Sequence, residues 1–294
     1  MSRPQVSAIL TCYNSERSIR RAIESVVSQT FTDLEIIVVD DASTDGTVAV
    51  IESISDNRMR LVRNAINRGI GGAKNVGVSE SRGTYVAFLD SDDEWLPNKL
   101  EVQLATLKAN LSGCPLSFTA FWVHRGETEK VVLRAPRRHG TWLRSILLGE
   151  TFSLGSTLLA TRKCFDEVGP FNERLTRLQD RDWTLRYLRR RSEFLFMNEP
   201  LARIYNSGWP RPEVVARAVE LLYRAHENDL NARDPALARL FWASLCFETA
   251  VHEYRSGQQV AAARRFAKAL ATHPPYVSYL AGRLQRKLME GDAT

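Results

Sequence analysis

Short apolar runs alternate with amphipathic stretches over the first third of the chain. Residues 6–10 (Val-Ser-Ala-Ile-Leu) have strand character, and Ile19, Ile23, Val26 and Val27 then recur at helical spacing. Residues 35–39 (Glu-Ile-Ile-Val-Val) form a β-branched run of the kind a strand carries when both faces are buried. Val48, Ile51 and Ile54 fit a second helix, residues 71–81 a third, and residues 85–89 (Tyr-Val-Ala-Phe-Leu) another buried strand. Strands alternating with helices predict right-handed parallel crossovers: an α/β, Rossmann-like, mostly parallel sheet flanked by helices. Ligands of such sheets sit beyond the carboxyl ends of the strands. Residues 116–123 and 156–160 are further strand candidates, and residues 182–191 read as a helix with Leu185 and Leu188 on one face.

Beyond Pro210 and Pro212 the texture changes to Ala, Leu, Arg and Glu at helical spacing, without β-branched runs. The expected organisation is therefore an α/β domain over residues 1–208 and an all-α region over residues 209–294. Within the latter, residues 253–257 (Glu-Tyr-Arg-Ser-Gly), Ala261 to Ala263, Phe266, Ala269, Leu270 and Pro274 resemble a single tetratricopeptide-like hairpin. One such repeat does not make a solenoid.

A chain of 294 residues has room for one large domain and a smaller one. Hydrophobic residues at 44% and charged residues at 25% are ordinary for a globular protein and argue against disorder or a fibrous repeat. No apolar run approaches the roughly 18 residues of a membrane span, and the amino end enters strand-like sequence without a signal-peptide pattern. The expectation is a cytoplasmic protein. Cys12, Cys114, Cys164 and Cys246 lie far apart without a CxxC pair, which predicts reduced thiols rather than zinc ligands or disulfides. His124, His139, His226, His252 and His273 lack ligand spacing as well. A net charge of +6 suits nucleotide phosphates or an anionic membrane face.

Each predicted strand runs on into a polar segment: Thr11-Cys12-Tyr13-Asn14 after the first, Asp40-Asp41-Ala42-Ser43-Thr44-Asp45-Gly46-Thr47 after the second, Asp90-Ser91-Asp92-Asp93 after the third. Two aspartates one residue apart can turn both carboxylates toward one hard divalent cation, with water and phosphate oxygens completing its shell. The competing explanation is a turn that satisfies its own backbone amides. Asp41 could accept from the imide N–H of a uracil ring, while Ser43 or Thr44 caps the next helix.

Together these segments resemble the family-2 inverting glycosyltransferases of the GT-A fold. Residues 6–14 resemble the family's strand-then-YN opening, and residues 25–31 and the Asp-Asp-x-Ser-x-Asp-Gly-Thr stretch come next in order. Asn67-Arg68-Gly69, Ala73-Lys74-Asn75 and Gly77 resemble its NxG…ARN…G segment, with Lys74 where Arg is common. Asp90-Ser91-Asp92 matches the DxD, with Trp95, Pro97, Lys99 and Leu100 behind it; residues 168–173 resemble GGFDE, and residues 179–183 (Gln-Asp-Arg-Asp-Trp) the EDxDLW helix start. The matches are colinear over about the first 205 residues.

The resemblance implies roles residue by residue. Thr11, Tyr13 and Glu16 would line the base and ribose, Asp41 would hold the base, and Lys74 would approach the diphosphate. Asp90 and Ser91 would meet the ribose or sugar, Asp92 would ligate Mn²⁺ or Mg²⁺, and Asp180 would be the catalytic base. Thr11 stands where the family often has Pro, and Gln179 replaces the usual Glu beside the base, where it is a weaker candidate for sugar or acceptor contact. Asp182 is expected to be a helix-capping or surface charge. Trp142, Trp183 and Trp209 could stack on an acceptor sugar; burial is the expectation for two of them, with Trp209 the best candidate for contact.

The expected partners are a nucleotide-sugar donor, UDP-linked before others, and a glycan or lipid-linked acceptor, in polysaccharide or glycoconjugate biosynthesis. Nucleic acid is not expected. Peripheral contact with the inner membrane face, through basic surface such as Arg186, Arg189, Arg190 and Arg191, is left open, as is oligomerisation. Nucleotidyl transfer and a non-catalytic nucleotide-sugar-binding scaffold remain the alternatives.

Overall fold

A computed structural model describes residues 3–124, 131–150, 153–205 and 210–281. The chain divides into two compact units, Met1–Leu143 with Thr151–Gly208, and Arg144–Glu150 with Trp209–Thr294.

In the first unit β1 (Val6–Cys12), α1 (Ile19–Val27), β2 (Leu34–Asp40), α2 (Thr47–Glu52), β3 (Met59–Arg63), α3 (Gly69–Glu80) and β4 (Tyr85–Asp90) alternate, as the periodicity predicts apart from β3. Then come β5 (Glu94–Trp95), α4 (Lys99–Ala109), β6 (Leu116–His124), β7 (Val131–Arg134) and α5 (Trp142–Leu147), within which the division between the units falls. The unit closes with α6 (Leu154–Thr157), β8 (Leu159–Thr161), α7 (Arg162–Val168), α8 (Gln179–Arg190) and β9 (Leu195–Tyr205). The strand expected over residues 156–160 is corrected: Ser156 and Thr157 end a helical turn, and β8 begins at Leu159.

One sheet runs in the order β3-β2-β1-β4-β8-β6-β9-β5, with β7 paired to β6. Strands β3, β2, β1 and β4 are mutually parallel, whereas β8 runs against both β4 and β6. Every residue of β1 and β2 is buried, as expected for strands covered on both faces. Helix α3 lies so close to the sheet that a Cβ at Gly77 would stand 2.3 Å from Cγ2 of Ile9, an approach open only to glycine.

The second unit holds α9 (Pro212–Arg233), α10 (Pro235–Arg255) and α11 (Gln259–Thr272). Val215, Val219, Leu222, His226 and Leu230 recur on one face of α9 and are buried, and Tyr223 and His226 meet Phe241 of α10. Asp234 caps α10 by accepting from the Ala236 N–H at 2.8 Å, with Pro235 behind it. Gly257, at φ 84°, turns the chain into α11, where Arg265 pairs with Glu253 at 2.9 Å. Among the described residues no helix is long and apolar enough to cross a membrane, and Cys12, Cys114, Cys164 and Cys246 are all free thiols.

Candidate active site

The carboxyl ends of β1, β2 and β4 share one edge: Thr11 stands opposite Val39 of β2 and Asp90 of β4. Four non-glycine residues with positive φ occur among the described residues, Asn14, Ala42, Ser153 and Leu178, each in a loop that brings a site element into place. Such conformations persist only where the surroundings over-determine them, and they concentrate at functional sites.

Thr11 is buried and Tyr13 is 50% exposed. The β1 and β2 loops are stitched together: Asn14 N–H donates to Ser43 Oγ at 2.9 Å, Thr44 N–H to Asn14 Oδ1 at 2.8 Å, and Gly46 N–H to Glu16 Oε2 at 2.8 Å. Glu16 therefore holds the turn ahead of α2. Gly46 is the residue before that helix and Asp45 accepts from Thr47 N–H at 3.0 Å, so neither Ser43 nor Thr44 is the cap expected from sequence. Asp41 is buried, and its carboxylate accepts from Asn64 Nδ2 at 2.7 Å and from Arg68 N–H at 3.0 Å. Those donors fix its orientation at the end of β2. Arg68 also pairs with Glu173 at 2.8 Å, while Asn75 donates to Phe171 O at 3.0 Å and accepts from its N–H at 2.8 Å. These contacts latch the Phe171–Glu173 stretch onto α3.

Lys74 is the centre of the site. Its side chain is 1% exposed, and Nζ lies 3.1 Å from Asp180 Oδ1 and 3.3 Å from Asp90 Oδ1. The rings of Phe88 and Phe171 stand 5.6 and 5.9 Å away. Burial pulls the pKa of this amine down, but the charges of Asp180 and Asp90 outweigh it and raise it above the ordinary lysine value. Burial also raises the pKa of Asp180, with Lys74 opposing the rise and Asp90 adding to it. The site thus holds an ammonium between two carboxylates.

Asp180 lies in the first turn of α8, directly after Leu178 at φ 63° and Gln179. Helix α8 is anchored by Trp183, which is buried against Phe165 and donates to Gly169 O at 3.0 Å. Asp182 is no surface charge: it is buried and pairs with Arg186 at 3.0 Å. Gln179 is also buried, and its Oε1 makes no hydrogen bond among the described residues. Trp142 is buried like Trp183, and Trp209 lies outside the described residues.

The acidic turn closes when Asp93 N–H donates to Asp90 O at 3.0 Å. Ser91 Oγ meets Ser15 Oγ at 2.8 Å, and Arg21 donates to the Asp92 carbonyl. Burial, and then the charges of Asp90 and Asp92, raise the pKa of Asp93 well above the carboxylate range. That mutual repulsion marks a negative potential at the turn. Among the described residues no group of three or more His, Cys, Asp or Glu gathers as a metal cage. The donor set that is present, hard oxygens on a partly buried acidic turn, fits a divalent cation held by Asp92 with phosphate oxygens filling its shell. Asp93 and Ser156, which buttress this turn, carry no motif of their own; Asp93 was visible only as part of an acidic run.

A mostly parallel sheet gathering an acidic turn, an oriented aspartate and a lysine-bridged carboxylate pair at its carboxyl edge defines a GT-A type α/β protein. The chain belongs to glycosyl transferase family 2, whose family model matches residues 7–166, more than half of its length. It is 43% identical over 108 residues to the Escherichia coli UDP-Glc:alpha-D-GlcNAc-diphosphoundecaprenol beta-1,3-glucosyltransferase WfgD, covering 36% of this chain and 43% of that protein. It is 39% identical over 121 residues to the putative teichuronic acid biosynthesis glycosyltransferase TuaG of Bacillus subtilis, covering 40% of this chain and 47% of that one. The chain thus spans less than half the length of these relatives. In fold it is similar to S. aureus TarS 1-349 in complex with UDP-GlcNAc, with a TM-score of 0.65 at 21% identity over 93% of this chain and 81% of that one. It is likewise similar to the mannosyltransferase PcManGT from Pyrobaculum calidifontis in complex with GDP-Man and Mn²⁺, with a TM-score of 0.59 at 19% identity over 98% and 81% of the two chains.

Proposed function

We propose that this chain is an inverting, metal-assisted glycosyltransferase that moves a sugar from a nucleoside diphosphate donor, a UDP-sugar, to a hydroxyl of a glycan or lipid-linked acceptor. The observation that carries this reading is the placement of Asp180 and Asp90 on one buried ammonium, Lys74 Nζ, at 3.1 and 3.3 Å. Family membership supports it, and the names of WfgD and TuaG support a role in surface-polysaccharide assembly. Asp41, oriented by Asn64 and Arg68 N–H, suits a ring N–H of the kind uracil, thymine and guanine carry and adenine and cytosine lack. The UDP-sugar in the relative's name favours uracil.

Breaking the sugar–phosphate bond leaves negative charge on the departing diphosphate; Asp92 would hold a divalent cation there, which would supply neutralising charge. The acceptor oxygen attacks the anomeric carbon opposite the leaving group, and Asp180 takes its proton. One displacement, without a covalent glycosyl intermediate, inverts the anomeric configuration. Lys74 opposes the upward shift that burial gives the Asp180 carboxyl.

The test is turnover of UDP-, GDP- and dTDP-sugars with Mn²⁺ or Mg²⁺ by wild type and Asp180→Asn. The expected result is release of nucleoside diphosphate, not pyrophosphate, from one donor, with kcat about 10²–10⁴ lower in the variant and donor binding retained. An Asp180→Asn protein of wild-type rate places the base elsewhere.

A further inference from the structure

The turn that carries Asp92 rests on α6, and one hydroxyl makes the joint. Ser156 is completely buried. Its Oγ accepts from the Asp90 N–H at 3.2 Å and donates to Asp93 Oδ2 at 2.5 Å, linking the two residues that bracket Ser91 and Asp92. The other oxygen of Asp93 accepts from the N–H of Tyr205, the last residue of β9, at 3.1 Å. The segment behind is pinned in turn: Ser156 O accepts from Trp95 Nε1 at 2.8 Å, and Thr157 O from Gln103 Nε2 at 3.0 Å. Trp95 and Gln103 come after the acidic turn in sequence, so the chain that leaves the turn returns to hold its support.

We propose that Ser156, acting with Asp93, is a positioning residue for Asp92: it fixes both ends of the acidic turn so that the Asp92 carboxylate is preset to receive the divalent cation of a bound nucleoside diphosphate. This rests on the metal-assisted reading above. A hydroxyl that only filled a core hydrogen bond would affect folding alone. A hydroxyl that presets the turn affects cation affinity more than stability, because groups that orient a metal ligand typically contribute about 10–100-fold to affinity.

The experiment is Mn²⁺ binding followed by EPR with UDP present, on wild type, Ser156→Ala, Asp93→Asn and Asp92→Ala, with thermal unfolding and metal-free UDP binding measured on the same proteins. Ser156→Ala is expected to weaken Mn²⁺ binding by about tenfold or more while metal-free UDP affinity stays within about twofold. Asp93→Asn preserves shape and the Tyr205 contact and loses the acceptor for the serine hydroxyl; it is expected to act in the same direction, and it carries the test if Ser156→Ala does not fold. Wild-type Mn²⁺ affinity in both variants, with binding lost in Asp92→Ala, overturns the positioning role and leaves the proposed function standing. Equal Mn²⁺ binding by wild type and Asp92→Ala overturns the metal-assisted reading and this inference with it.

Discussion

Two lysines of the α/β unit are fully buried, and their surroundings give them opposite characters. Lys74 meets two carboxylates and its pKa is raised. Lys99, in α4, meets Gln103 Oε1 at 2.6 Å and the Trp95 ring at 4.2 Å, pairs with no carboxylate among the described residues, and its pKa is driven well below the ordinary value by burial. Burial is common to both, so the difference comes from the carboxylates. The charged lysine stands at the carboxyl edge of the sheet, where a reaction needs fixed charge. The other lies behind the acidic turn, where Gln103 passes its hydrogen bonding on to Ser117 Oγ and Thr157 O at 3.1 and 3.0 Å.

The largest expected effect comes from removing the charge at the edge. Lys74→Met leaves Asp90 and Asp180 facing each other, and turnover should fall by at least about a hundredfold, the low end of what a positioned base contributes. The pH dependence has a definite sign. Lys74 opposes the upward shift of Asp180, so its loss raises that pKa further, and because the base works ionised, the acid limb of kcat should move to higher pH. Lys74→Arg, which keeps the positive charge, should recover most of the activity and the wild-type limb. An unmoved acid limb in Lys74→Met would separate Asp180 from the lysine altogether.

A second variant sharpens the contrast without replacing any charged residue. A Cβ on Gly155 would stand 2.2 Å from Asp90 Oδ2, so Gly155→Ala must displace that carboxylate and leave Lys74 with one close partner. Donor KM should rise about tenfold with a smaller change in kcat, at about 1–3 kcal/mol in stability, the usual range for overpacking. Unchanged donor KM would mean that Asp90 does not contribute to donor binding from this position.

Local pattern made β1, β2 and β4 and the helices between them legible, because these strands are continuous apolar runs and the helices carry their own periodicity. Strand β3 escaped because Met59-Arg60-Leu61-Val62-Arg63 is a partly buried edge strand that alternates with arginine. Strand β9 escaped because Pro200 lies within it, at a register irregularity against β6. Motif order singled out the acidic turn, Asp41 and Asp180 one by one, yet the contact that joins the site links residues 106 apart in sequence, Lys74 and Asp180. Ser156 and Gly155 carry no motif of their own, since a buried serine and a glycine acquire their meaning from Asp90 and Asp93 across the fold. Asp182 misled for the opposite reason: its spacing suits a capping or surface charge, and only its i+4 pairing with Arg186 in the packed helix reveals a buried one.

The smallest effect tests Lys99 through stability alone. The unfolded chain keeps Lys99 protonated up to about pH 10.4, whereas the folded chain, with its pKa depressed by burial, does not. The unfolded state therefore binds more protons, so wild-type stability rises with pH through the window below about 10.4 and levels off above it, with a limiting slope of about 1.4 kcal/mol per pH unit. Lys99→Met lacks that slope. It also strands Gln103 Oε1, which costs about 1–3 kcal/mol, but that cost does not vary with pH. Other titrating groups are common to both proteins and cancel in the difference. Urea unfolding of the two proteins across this window should thus give a wild-type-minus-variant stability that climbs with pH, while donor turnover stays unchanged. A flat difference means that Lys99 keeps its proton in the folded protein, and the carboxylates around Lys74 would then no longer account for what separates the two lysines.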